Sequence, residues 1–291
     1  MSELAYDYGV LLKPKVLLAM LALYLTTFFT SSIYSGNLNV DYLQFFMGFM
    51  AVAFSVSGAN ALNCVYDRDI DSLMVRTGGR PLVRGTITVA DASFFSWTML
   101  AASAVLAVYL GLIPVILLVE GAGSYLLLYT VLLKRKTSIN VLFTAPSVAA
   151  PAWFGWYLGG ASLYPVGLVM GALVAIWGPL HLWSIAFAYS KDYERVGVPM
   201  FPSLVSRKQA INGILVALGL LLGSSYLLAL WADSYWYLAI VTVLNLVLAV
   251  TGLKLYKSGS NRAGWVLFKL TSPYIILVFL IFMLTQYMVK L

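Results

Sequence analysis

The stretch that decides the fold is QFFMGFMAVAFSVSGANALNCVYDRDID, residues 44–71. It opens with an uncharged, mostly apolar run of about 20 residues, which as a helix is long enough to cross the hydrocarbon core of a membrane. It closes with Asp67, Asp69 and Asp71, all within five residues. A span followed directly by clustered acids predicts a membrane helix with a polar site at its end.

Composition extends this prediction to the whole chain. Of 291 residues, 62% are hydrophobic and only 10% are charged, whereas soluble proteins carry about 25% charged residues. Strand-like alternation is absent, so we predict an all-α integral membrane protein rather than a barrel. Because Cys64 and His181 are the only residues of their types, a disulfide framework, a cysteine cluster and a multi-histidine metal site within one chain are excluded.

Polar breaks divide the chain into nine apolar segments, each of which we expect to be a transmembrane helix. They are residues 16–34, 44–64, 92–111, 114–133, 141–159, 165–189, 211–231, 235–255 and 265–288. Their connections are short, which favours antiparallel neighbours in a helical bundle. Without a long linker, residues 1–291 are expected to form a single domain.

Lysine and arginine collect in alternate connections and leave only Lys290 at the opposite face, apart from Lys269 inside the start of the ninth segment. This asymmetry predicts a cytoplasmic N-terminus and an external C-terminus. It also explains the net charge of +7 without nucleic-acid binding. The first twenty residues lack the pattern of a signal or transit peptide, so we expect a multi-pass protein of the plasma membrane.

The acidic cluster has the spacing of a metal site. Asn63, Asp67 and Asp71 recur every four residues, which places them on one helix face. Like charges at this spacing repel each other, so a cation should compensate them. Mg2+ prefers oxygen ligands and commonly binds one or two carboxylates together with substrate phosphates. The alternative is an ordinary solvated helix end.

Basic residues follow the acids and suit a diphosphate. Arg76 and Arg80 lie in a loop broken by glycine and proline, and arginine makes bidentate contacts to phosphate. Arg84 is expected to set topology only. Of the three basic residues after the fourth segment, we expect Lys134 to reach the diphosphate.

The exit of the sixth segment resembles a degenerate repeat of the first cluster. Asp192 lies there, on the same predicted face, about 120 residues after the first acids. His181 precedes it by eleven residues, which places it deeper in the membrane near the same face. Contact with a planar acceptor and a simple bond to a neighbouring helix both remain open for His181.

If the hydrocarbon chain on the diphosphate is an isoprenoid, these parts together predict electrophilic prenyl transfer. Metal and bases would hold a diphosphate, an apolar cavity would hold its hydrocarbon chain, and an electron-rich carbon would capture the allylic cation. This reaction needs no nucleophilic side chain, and no Ser-His-Asp set is evident.

The chain resembles the UbiA-type intramembrane prenyltransferases over nearly its whole length, and above all their protoheme IX farnesyltransferase branch. The matching stretches are NCVYDRDIDSLMVRTGGRPLVRG (63–85), YTVLLKRKTSIN (129–140) and HLWSIAFAYSKDYERVGVPMFP (181–202). The resemblance implies nine helices around a central cavity, Mg2+ as cofactor, and transfer of farnesyl from farnesyl diphosphate to a vinyl group of haem B, giving haem O.

The resemblance also implies roles for individual residues. It implies Asn63, Asp67, Asp71 and Asp192 as metal ligands, Asp67, Asp71 and Asp192 as catalytic residues, Arg76, Arg80, Lys134 and Lys191 as diphosphate contacts, and His181 as a haem-facing residue. The second acidic motif is reduced here to KDY (191–193), which leaves the number of metal ions open. A partner enzyme that hands over haem fits the resemblance. The alternatives are prenylation of a quinone precursor or a lipid and, in another class, a membrane transporter.

Overall fold

The computed structural model describes residues 3–36, 39–161 and 164–290, and within these ranges the regular structure is helical without a β-strand. We number nine bundle helices and name shorter ones by their residues. They are α1 (Pro14–Ser35), α2 (Tyr42–Tyr66), α3 (Val89–Leu110), α4 (Leu112–Gly123), α5 (Ala145–Leu158), α6 (Pro165–Ala188), α7 (Arg207–Ser225), α8 (Tyr235–Ser258) and α9 (Asn261–Lys290). The Lys290 side chain lies outside the described residues.

The all-α membrane class is confirmed. In the described ranges, eight helical stretches are long and apolar enough to cross a membrane. The remaining predicted segment, 141–159, differs: it consists of a 3-10 turn, Asn140–Thr144, followed by the 14-residue helix α5. A proline at the start of α5 accounts for the late onset, because Pro146 lacks the N–H that a preceding helical turn would need.

The bundle helices form a closed ring. Each described helix packs against the next in sequence, and α9 packs back against α1. The two most extensive cross-contacts, α1 with α5 and α6 with α9, fill part of the interior. The ring encloses a cavity of about 520 Å³ whose walls come from α1, α2, α4, α5, α6, α9 and the connections between them.

Small residues allow α5 to approach α1 closely. A methyl group added at Gly155 would lie 2.4 Å from the Tyr24 carbonyl oxygen, and one at Gly159 would lie 2.4 Å from that of Phe28. The Ser31 hydroxyl of α1 fastens the joint by donating to the Trp156 carbonyl (2.6 Å). Such close packing is typical of helices that associate within membranes.

Polar contacts gather three connections and the start of α1 at one end of the ring, which we call the charged end. Lys13 bonds to Asn63 at the end of α2 (2.6 Å), and Lys134 after α4 pairs with Asp67. The backbone N–H of Arg76 donates to Asp192 after α6 (3.3 Å). The predicted meeting of these connections on one face is therefore present.

Candidate functional site

Backbone geometry keeps the first three predicted ligands in register. Helix α2 ends at Tyr66, and a short helix, Arg68–Leu73, starts directly after Asp67. The Asp67 N–H donates to the Asn63 carbonyl (2.9 Å) and the Asp71 N–H to the Asp67 carbonyl (2.8 Å). Because this i to i+4 pattern continues through the junction, all three side chains line the cavity.

Asp67 is the centre of the polar cluster. Its side chain is buried, and its Oδ2 accepts from Lys134 Nζ and from Asn63 Nδ2 (2.9 Å). Its Oδ1 is buried with no hydrogen-bond partner among the described residues. A buried carboxylate oxygen without a donor is costly, and this atom is available to accept a bond from a bound ligand.

The loop that carries Arg76 and Arg80, which we call the arginine loop, closes over Asp71. Arg80 pairs with Asp71 through its guanidinium, and both side chains line the cavity. Arg76 is exposed at the cavity mouth, with its guanidinium about 6.0 Å from the Tyr189 ring centre. Asp69 faces outward and pairs with Arg135 (2.7 Å), and these hydrogen bonds lower the pKa of Asp69.

Lys13 belongs to the cluster, although its sequence position indicated only membrane orientation. Its Nζ donates to Asn63 Oδ1 (2.6 Å) and to the Tyr125 hydroxyl (3.2 Å). Its backbone is left-handed, with φ 50° and ψ 69°, which is uncommon for a residue with a Cβ. Strain of this kind concentrates at functional sites.

A π-helix brings the fourth bundle helix to the site. Residues Ser124–Leu133 continue α4 with hydrogen bonds from residue i+5, as from the Lys134 N–H to the Tyr129 carbonyl (2.8 Å). This wider turn directs Tyr125, Thr130 and Lys134 toward the same cluster, where Thr130 Oγ1 accepts from Asn63 Nδ2 (3.0 Å). Such turns are rare and frequent at functional sites. The sequence signal for this turn is the spacing of Tyr125, Thr130 and Lys134, which are five and four residues apart in a leucine-rich segment.

His181 lies deeper in the same cavity. Its ring stacks on Trp177 (4.6 Å between centres) and packs against Phe268 (4.3 Å), and its Nδ1 shares a hydrogen bond with the Thr271 hydroxyl (2.8 Å). The hydrogen bond to a neighbouring helix is therefore present. His181 also lines the cavity wall, and its contact with a planar acceptor stays a prediction.

The structure brings together most of the predicted site residues, and it places two of them differently. Asn63, Asp67, Asp71, Arg76, Arg80, Lys134 and His181 all line the one cavity. Asp192 is buried behind the Arg76 backbone and does not line the wall, whereas Tyr193 does. Lys191 is exposed outside the cavity, because residues two apart on a helix point about 200° apart.

The cluster suits one hard cation together with phosphate oxygens. The described residues hold no group of three or more acidic, histidine or cysteine side chains able to bind a metal by themselves. Asp67 and Asp71 are the only acids that line the described cavity, and six basic side chains line it with them. These two carboxylates are enough for Mg2+, because this ion is commonly bound by one or two protein carboxylates and takes its other ligands from substrate phosphates and water.

Comparison with known proteins agrees with this geometry. The UbiA prenyltransferase family model matches residues 23–284. A protoheme IX farnesyltransferase of Desulforudis audaxviator is 36% identical over 81% of this chain and 75% of its own length. Protoheme IX farnesyltransferase 1 of Cenarchaeum symbiosum is 31% identical over 92% of this chain and 91% of its own.

Solved structures share the fold at low sequence identity. A digeranylgeranylglyceryl phosphate synthase superimposes with a TM-score of 0.78 at 19% identity, covering 98% of this chain and 99% of its own. A UbiA homolog from Archaeoglobus fulgidus bound to GPP and Mg2+ gives 0.69 at 17% identity, covering 94% and 99%. These likenesses concern the fold.

Proposed function

The chain belongs to the UbiA prenyltransferase family, and from this membership we propose that it transfers a farnesyl group from farnesyl diphosphate to a vinyl group of haem B. Water then adds to the cation that the transfer leaves at the former vinyl group, so the products are haem O and diphosphate. Relatives that are 31–36% identical carry the name of this reaction. The observation that carries the proposal is a single cavity that joins a cluster of acids and bases to an aromatic wall.

The polar end of the cavity is suited to hold the diphosphate. Lys134 and Arg80 contact the carboxylates of Asp67 and Asp71. A diphosphate held near those carboxylates by a shared cation would therefore lie close to both bases. Arg76 at the mouth adds a third base. Their charge favours departure of the diphosphate, because negative charge develops on it as the allylic bond breaks.

Mg2+ fits this end as the cofactor. Asp67 and Asp71 would hold it, with the unpartnered Asp67 Oδ1 as the first ligand atom and Asn63 as a neighbouring oxygen donor. When bound, the ion neutralises developing charge on the leaving group. Asp192 supports the loop from behind through the Arg76 N–H.

The apolar part of the cavity is suited to the farnesyl chain and the acceptor. Apolar side chains of α1, α2, α4 and α5 line it, which keeps water from the allylic cation. The rings of Trp177, His181 and Phe268 form an aromatic surface, and a planar tetrapyrrole matches such a surface. His181 would face the haem.

The proposed location is the plasma membrane, with the charged end facing the cytoplasm. The multi-pass character is established by the helices. Basic residues concentrated at the charged end support this orientation, and it opens the site to the cytoplasmic side.

Two other functions are less well supported. A quinone precursor or a lipid acceptor would use the same diphosphate end, and the names of the relatives favour haem over both. A transporter would carry charged groups near the middle of its spans, whereas this cluster lies at one end.

The test is direct conversion in detergent. Purified protein is incubated with farnesyl diphosphate, Mg2+ and haem B, and the product is identified by mass. We expect farnesylated, hydrated haem only when all components are present and chelator is absent. Turnover of a phenolic acid or a glyceryl phosphate, with no haem product, would replace the proposed acceptor.

A further inference from the structure

Two cavity lysines are not used by the diphosphate cluster. Of the six basic side chains in the described wall, Lys13, Arg80 and Lys134 bond to Asn63, Asp71 and Asp67, and Arg76 belongs to the arginine loop. The remaining two are Lys15 and Lys269.

Lys269 lies two turns inside α9, roughly 12 Å along the helix axis from its first residue. No described carboxylate pairs with it, and its contact is the face of the Trp265 ring, 5.0 Å from the ring centre. Its side chain is exposed and lines the cavity, and a charged residue that faces a cavity within a membrane segment is a functional candidate.

Lys15 lies on the helix that packs against α9. It is the second residue of α1, and it is exposed and lines the same cavity. Helices α1 and α9 pack against each other and close the ring, and both lysines line the cavity that the ring encloses.

We propose that Lys269, assisted by Lys15, binds the carboxylates of the acceptor. This inference rests on the proposed function, since haem B carries two propionates on the edge opposite its vinyl groups. Phe268, next to Lys269 in sequence, packs on His181 at 4.3 Å. One segment of α9 thus offers an aromatic surface for the tetrapyrrole and a cation for its carboxylate. Anchored by its propionates at this wall, the ring directs its vinyl edge into the cavity.

The same cation chemistry would also suit a phospholipid headgroup. A lysine that only contacts a headgroup stabilises the helix in the bilayer. Its substitution would change the KM for haem B and for esterified haem equally. Esterified haem, which has no free carboxylate, separates these two roles.

The experiment compares haem B with its dimethyl ester as acceptors in detergent micelles. We expect K269Q to raise the KM for haem B about tenfold, equivalent to about 1.4 kcal/mol, and to leave the KM for farnesyl diphosphate unchanged. On the ester, K269Q and wild type should have the same KM. K269R should recover most of the affinity for haem B.

Controls separate this role from folding and from the proposed function. K254Q changes an exposed lysine of α8 outside the cavity and should behave as wild type. If K269Q is not monodisperse, K15Q supplies the same comparison with a smaller expected effect. Equal loss on haem B and ester, a raised KM for farnesyl diphosphate, or no effect would overturn the inference. Wild type that farnesylates neither acceptor would overturn the proposed function and the inference with it.

Discussion

At the scale of single residues, the site is a set of buried charges that neutralise one another. Asp67 pairs with Lys134 from the connection after α4, and Asp71 pairs with Arg80 from its own connection. Burying a carboxylate without a partner is costly, and these two bases are the partners of the two acids. Lys13 extends the set through Asn63.

Substitution of Asp67 tests its role as ligand. D67N keeps the size of the side chain and removes its charge, so we expect kcat to fall by at least about 100-fold. Added Mg2+ should not restore it. The measurement is farnesyl transfer over a Mg2+ titration.

D69N is the matched control, because Asp69 is an exposed acid two residues away that pairs with Arg135 outside the cavity. We expect its kcat to stay within about threefold of wild type. Wild-type turnover in D67N would contradict the metal assignment.

At the scale of elements, the π-helix sets the position of Lys134. With hydrogen bonds from residue i+5, Tyr125, Thr130 and Lys134 all face the cluster. In an α-helix, with bonds from residue i+4, a residue nine positions after Tyr125 lies on a different face.

Deletion of Leu128 tests this geometry. Leu128 is 39% exposed, and its loss should restore an α-helical register and turn Lys134 away from Asp67. We expect turnover to fall at least about tenfold while the protein still inserts into the membrane. The control L128A keeps the register and should stay active. Full activity of the deletion variant would show that the π-helix is dispensable.

The α1–α5 joint predicts a stability effect. In G155A the added methyl group meets the Tyr24 carbonyl oxygen at 2.4 Å, so the two helices must separate. Overpacking of this kind costs about 1–3 kcal/mol, and we expect a lower Tm in a detergent thermal-shift assay.

G123A serves for comparison, because a methyl group there meets nothing within 4 Å. Its Tm should equal that of wild type or exceed it slightly. An unchanged Tm for G155A would mean that the joint can open without cost.

At the scale of the whole molecule, a closed ring with its charge at one end defines two distinct faces. Ring closure by α1 and α9 encloses the cavity, and the charged end supplies its polar mouth. Only an orientation with this mouth inward agrees with the positive-inside rule.

Labelling with a membrane-impermeant maleimide tests the orientation in intact cells. The native Cys64 is buried and should not react. Y235C, at a residue 91% exposed at the start of α8, should be labelled from outside. S258C, at the end of the same helix, should be labelled only after permeabilisation, and the reverse pattern would invert the proposed topology.

The class, the approximate helix positions and the main acidic cluster follow from local patterns in the sequence. Apolar length sets membrane spans through local hydrophobicity, and four-residue spacing sets a helix face, so both are readable from nearby residues. For this reason the spacing alone places Asn63, Asp67 and Asp71 on one helix face. Their roles as ligands remain a prediction.

The distant side chains that meet this cluster are visible only in the folded protein. Lys13 looked like a topology signal, Lys191 like a phosphate contact and Lys269 like the start of a span. Their actual places depend on a strained turn, on the phase of a short helix and on the α1–α9 closure. Such features arise from contacts between segments far apart in sequence. Local sequence patterns therefore do not predict them.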